Sequence, residues 1–115
     1  MPNERFHKLL EEIGRLHDMK NSDYAEDVDP LSNFRLCEKF GIPAWKGCLV
    51  RMSDKMSRLF QLAKKEEASV KEETVVDTLK DLATYSLICV LLYEESCNPT
   101  YVGKGEWQWK DRIIK

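Results

Sequence analysis

Three stretches of this chain space their apolar residues by threes and fours, a periodicity that belongs to amphipathic helices. From Arg5 to about Asp18, Phe6, Leu9, Leu10, Ile13 and Leu16 recur at those intervals. From about Cys48 to Lys65, a helical wheel puts Leu49, Met52, Met56, Leu59 and Ala63 on one side, and Arg51, Asp54 and Arg58 on the other. From about Glu72 to Glu94, Val75, Val76, Leu79, Leu82, Ala83 and Ser86 mark the expected core face. A shorter helical piece is expected from Asn33 to Phe40, stopping at Gly41 with Pro43 just beyond. MKNSDYAEDVDPLSNF, rich in Asn, Ser, Asp and Pro, reads as a loop with short helical turns, and KKEEASVKEE reads as a charged connector. Asn98-Pro99 closes the last helix. The expected fold is all-α: an antiparallel bundle of three to four helices over residues 1–98. A short aromatic C-terminal tail follows over 99–115, where Gly103 and Gly105 loosen the chain and Trp107 and Trp109 alternate with polar residues. That tail suits a strand or an interface arm.

With 115 residues, the chain has the length of one domain. Its 18 Lys and Arg against 20 Asp and Glu give a formal charge of −2, which lacks the basic excess of a nucleic-acid-polymer binder. The longest apolar run, LICVLLY from Leu87 to Tyr93, falls short of the ~20 residues that a membrane-spanning helix needs. No secretory leader is read in the charged, amphipathic start, so a cytoplasmic setting is expected. Cys37, Cys48, Cys89 and Cys97 form no CxxC pair, so no zinc site is expected, and Cys89 is read as a core hydrophobe.

The third helix carries Glu73, Asp77 and Asp81 four residues apart. Carboxylates so placed repel one another by a few tenths of a kcal/mol per pair (~0.2–0.5). One reading is a solvated face. The other is a site for small divalent ions, since Mg²⁺ takes carboxylate oxygens and shares its remaining positions with substrate phosphates. On the preceding helix, Arg51, Asp54 and Arg58 share a stripe with Lys55 at its edge. They serve equally as surface ion pairs or as one more carboxylate with bases suited to phosphate oxygens. Between the helices, Lys20, Asp23, Tyr24, Asn33 and Phe34 could take a phosphate and a base, or could simply cap short helices and fill the core.

Taken together, K-x-x-DY, DP-x-x-NF, VRMSDKMSRL and E-x-x-x-DTLKDLATY, in this order, resemble the nucleotide modification associated domain 1 family, common in bacteriophages. That family looks like a branch of the all-α, MazG-like nucleoside triphosphate pyrophosphohydrolases. The resemblance covers roughly Lys20 to Leu92 and leaves out the tail. It implies Mg²⁺ (or Mn²⁺) held by an ExxE pair on one helix and an ExxD pair on the next. Those positions read here as Arg51-x-x-Asp54 and Thr78-x-x-Asp81, with Asp77 and Glu73 upstream as substitutes. By carry-over, Asp54, Glu73, Asp77 and Asp81 form the metal shell, and Glu73 also orients or deprotonates the attacking water. Lys55 is a second catalytic group, holding the phosphates together with Arg51 and Arg58. Lys20, Asp23, Tyr24, Asn33, Phe34 and Tyr85 complete the substrate site. The resemblance implies hydrolysis of a nucleotide, expected to be a deoxynucleoside triphosphate, to monophosphate and pyrophosphate by a homodimer or homotetramer. The alternative is a non-catalytic binder of a nucleotide or of a host protein.

Overall fold

The computed structural model describes residues 2–24, 31–65 and 68–97, with side chains described for 2–19, 31–65 and 74–97. It is all-helical: α1 (Glu4–Tyr24), a 3-10 helix (Ser32–Phe40), α2 (Ala44–Lys64) and α3 (Ala68–Cys97). The expected tail, with Trp107 and Trp109, lies outside the described residues.

Local chemistry sets several of the boundaries. Asn3 stands just before α1 and its side-chain oxygen accepts the Phe6 backbone N–H at 3.0 Å, while Glu4 places a negative charge on the first turn. The 3-10 helix ends as expected at Gly41, whose φ of 79° is a conformation that a side chain resists. There the backbone N–H groups of Gly41 and Ile42 return to Glu38 and Cys37. Pro43 then turns the chain into α2.

Three boundaries differ from expectation. Helix α1 runs through Tyr24, so the first part of the expected loop is helical; from Met19 to Asp29 the sequence has no glycine or proline to interrupt it. Helix α2 begins four residues earlier than Cys48, at Ala44. Helix α3 begins at Ala68, inside the expected connector, because Ala, Glu and Lys are good helix formers.

Helices α2 and α3 form the principal contact, with the 3-10 helix on α2 and α1 on α3. Contacts from Trp45 to Tyr93 and from Lys55 to Asp81 run in opposite senses along the two helices, so the pair is antiparallel. Leu31, Ala44, Cys48, Ile88 and Leu92 form the core, with Phe34, Trp45, Tyr85 and Cys89 packed against it. Cys48 at 1% exposure is the fully buried cysteine, whereas Cys89, expected in the core, is half-buried.

The inward face of each helix is turned from the expected one. On α3 the seam runs Thr78, Asp81, Tyr85, Ile88, Leu92, Glu95, in steps of three and four that keep one line toward a partner helix. Thr78 and Glu95 on that seam are buried, while Val76 and Leu79 are about half exposed. On α2, Ala44, Cys48 and Leu62 are buried and Lys55 is half-buried, while Leu49, Met56 and Ala63 are exposed. The polar seam is tolerable because its groups find partners. Thr78 Oγ1 donates to the Thr74 carbonyl at 2.7 Å. Glu95 makes a close ionic contact, without an aligned hydrogen bond, to Arg35 of the 3-10 helix at 2.8 Å.

Candidate functional site

Four residues on α2 and α3, with two from the 3-10 helix, are linked by contacts. Arg51 and Lys55 are one turn apart on α2, and Tyr85 and Asp81 are one turn apart on α3. Because the helices are antiparallel, Lys55 meets Asp81, with Nζ 3.0 Å from Oδ2. The same ammonium lies 6.0 Å from the Tyr85 ring centroid, within cation–π range.

The 3-10 helix joins Arg51 to Tyr85 through Phe34. Phe34 meets Tyr85 edge-to-face, with centroids 6.0 Å apart and planes at 71°, the arrangement that aromatic quadrupoles favour. The Arg51 guanidinium sits over the Phe34 ring at 4.4 Å and donates through Nη2 to the Asn33 carbonyl at 3.3 Å. The 3-10 helix can come this close because residue 47 is glycine: a Cβ there would lie 2.5 Å from Cys37 Sγ.

Six expected site residues are thus brought together: Asn33, Phe34, Arg51, Lys55, Asp81 and Tyr85. Asp54, Arg58 and Asp77 are exposed on the flanks of the same two helices. Lys20, Asp23 and Tyr24 belong to the last turns of α1 and Glu73 to the start of α3, with side chains outside the described residues. Among the described residues, no three acids, histidines or cysteines are grouped to hold an ion. The chemistry of the donors nevertheless suits a hard cation, being carboxylate oxygens. Asp81, in the cleft, already draws a positive charge, that of Lys55. Both side chains of this pair are about a third exposed or less, and at that exposure such a contact contributes about 0–1 kcal/mol, so it opens readily.

Two features went unseen in the sequence. One is the Arg35–Glu95 contact; its only trace is that Glu95 lies seven residues beyond Ile88 on the same helical row. The other is an apolar groove between α2 and α3 on a different side of the pair, holding about 330 Å³ and lined by Trp45, Leu49, Met52, Cys89, Val90 and Tyr93. It has no motif because its walls are ordinary core-type residues from two helices.

On α1, Glu12 accepts from Arg5 at 3.1 Å and meets Lys80 of α3 at 3.4 Å. Chiefly through the Arg5 hydrogen bond, its carboxyl is held below the usual carboxylate range. No helix among the described residues is long and apolar enough to cross a membrane. Compared with family profiles, characterised proteins and solved structures, the chain matches none of them.

Proposed function

We propose that the cleft between the 3-10 helix, α2 and α3 binds a nucleotide, and that the chain is a divalent-cation-dependent (deoxy)nucleoside triphosphate pyrophosphohydrolase. Its products would be the monophosphate and pyrophosphate. The supporting observation is the set of groups gathered there: aromatic rings at Phe34 and Tyr85, cations at Arg51 and Lys55, and the Asp81 carboxylate. A nucleotide bound with its counter-cation presents the complementary set of flat base, phosphates and metal. The likeness of the sequence to the MazG-like pyrophosphohydrolases points the same way.

Phe34 and Tyr85 would pack on the base, while Asn33 could offer it a hydrogen bond. The Arg51 fork suits two phosphate oxygens at once, and Lys55 acts as a compact point charge. In the free protein Lys55 and Asp81 neutralise each other. A triphosphate would draw Lys55 away and release the Asp81 carboxylate, so substrate entry itself frees an oxygen ligand. Asp81, with Asp77, Asp54 and Glu73, would hold Mg²⁺ or Mn²⁺. When bound, that ion would supply neutralisation of the phosphate oxygens and a lowered pKa for water. Glu73 would orient the attacking water, and Lys55 and Arg58 would hold the β- and γ-phosphates.

The test is incubation with each common nucleoside triphosphate and Mg²⁺, followed by chromatography. Monophosphate plus pyrophosphate is expected, and Asp81→Asn should abolish turnover with helix content unchanged. A variant that turned over nucleotide at the wild-type rate would remove Asp81 from the chemistry. One observation favours a second reading: Arg51 stands where the resemblance expects an acid, and it holds the 3-10 helix instead. In that case the chain is a nucleotide binder without turnover, and the same assay would return intact nucleotide with saturable binding. A homodimer or homotetramer is also part of the proposal, supported by the apolar side chains left exposed on α2 and α3.

A further inference from the structure

We infer that the apolar groove beside Trp45 is the docking site of this chain's own C-terminal segment, with the Trp107 and Trp109 indoles as its occupants. The groove and the nucleotide cleft are separate, and this inference does not rest on the reading of the cleft.

The groove suits an indole. It holds about 330 Å³ and, Ser86 aside, is walled by apolar side chains, at the lower end of the ~300–1,000 Å³ range of ligand pockets. At its upper end Trp45 and Tyr93 meet edge-to-face, with centroids 5.1 Å apart. A further aromatic ring inserted there would find the same kind of partner. Leu49 and Val90 on its lips are 45% and 48% exposed, so the groove lacks a cover among the described residues.

Reach favours this segment over a foreign one. The described chain ends at Cys97, one turn beyond Tyr93. The middle of the groove, at Cys89 and Val90, lies seven or eight residues back along α3, or about 11–12 Å at 1.5 Å per residue. Nine residues, 98–106, join Cys97 to Trp107, and a random-coil chain of that length has a root-mean-square span of about 15–18 Å. Link and distance match closely enough to place the indoles at an effective concentration of about millimolar. Charge agrees as well. Residues 98–115 carry Lys104, Lys110, Arg112 and Lys115 against Glu106 and Asp111. The last turn of α3 has no basic residue and carries Glu94, adding to the negative end of the helix dipole.

The test uses the full chain and a maleimide, reading the labelling of Cys89 in the groove against that of Cys37 on the opposite side of α2. Trp107→Ala with Trp109→Ala should raise Cys89 labelling relative to Cys37 by about tenfold, as expected when a millimolar local concentration of the covering group is lost. That rise should be the same at every protein concentration. From the other side, Val90→Asp at the exposed lip should expel the indoles and speed tryptic cleavage at Lys104 and Lys110. Circular dichroism would confirm that both variants remain helical. Unchanged Cys89 labelling, or unchanged cleavage in the lip variant, overturns the inference. A rise that depends on protein concentration overturns it too, because the segment would then fill the groove of another copy.

Discussion

Cys48 carries a consequence that its burial alone dictates. Its thiol is 1% exposed and donates to the Tyr85 carbonyl at 3.3 Å. Desolvation, then the neighbouring Cys89 thiol, pushes its pKa from 9.0 up to about 11. Between those values the unfolded chain releases a proton that the native state keeps, so stability falls as pH rises. The contribution is fully present below 9 and lost as pH climbs through about 11. Denaturant unfolding from pH 8 to 11 should show the wild type losing on the order of 2 kcal/mol more than Cys48→Ala across that window. Equal slopes for the two proteins would mean that the thiol does not stay protonated inside. Single residues show how far spacing alone reaches. Asp77 and Asp81 read as one stripe, but each step of four advances about 40° around a helix. Asp81 therefore lies on the seam against Lys55, while Asp77 stays exposed. The residue types of the cleft were legible in the sequence; which carboxylate turns inward depended on α2 and was not.

At the scale of elements, the 3-10 helix matters most to the cleft, because it carries Asn33 and Phe34 and comes close to the α2 backbone at Gly47. Gly47 makes that approach possible, since a Cβ would fall 2.5 Å from Cys37 Sγ and 3.4 Å from its Cβ. Alanine at 47 should gain about 0.5–1 kcal/mol of helix propensity but lose about 1–3 kcal/mol to overpacking. A net loss of about 1 kcal/mol in thermal unfolding is expected, together with weaker nucleotide binding as Phe34 moves off Arg51. Adding Cys37→Ala should restore most of both, because the clash is pairwise and a double-mutant cycle isolates it. Failure of that rescue would place the damage elsewhere in α2. The sequence marked where this short helix stops, through Gly41 and Pro43, since those residues act locally. Nothing local could show that Gly47, inside a regular helix, is a contact point for an element ten residues earlier. The charged connector misled for a related reason: Glu and Lys read as solvent-loving, yet they are also good helix formers, and α3 starts at Ala68 among them.

The whole molecule has an imbalance that no single helix reveals. Among the described residues, sixteen large apolar side chains are exposed, against seven hydrophobic residues buried. Apart from the groove lips Leu49 and Val90, Val76, Leu79, Leu87 and Leu91 lie along the outside of α3, and Val50, Met56 and Phe60 along α2. A helix that is apolar nearly all round belongs inside a larger assembly, and contiguous faces of this kind mark contact surfaces, unlike scattered single residues. This also accounts for the turned seams. Apolar patterning points the most apolar face of α3 into its own domain, whereas Thr78, Asp81 and Glu95 lie on its packed side and much of the apolar side faces outward. The faces are explained together if a second copy covers the outer side of α3, leaving the groove at Trp45 to the tail. Light scattering should then give a multiple of the 13.5 kDa chain mass. Leu79→Lys with Leu87→Lys, both exposed in the single chain, should return it to one chain without loss of helix. Truncation after Asn98 separates the two roles of apolar surface: with the tail confined to its own groove, the mass of the truncated protein stays that of the full assembly. A wild-type mass of one chain would leave the exposed faces of α2 and α3 without a partner and remove the assembly from the proposal.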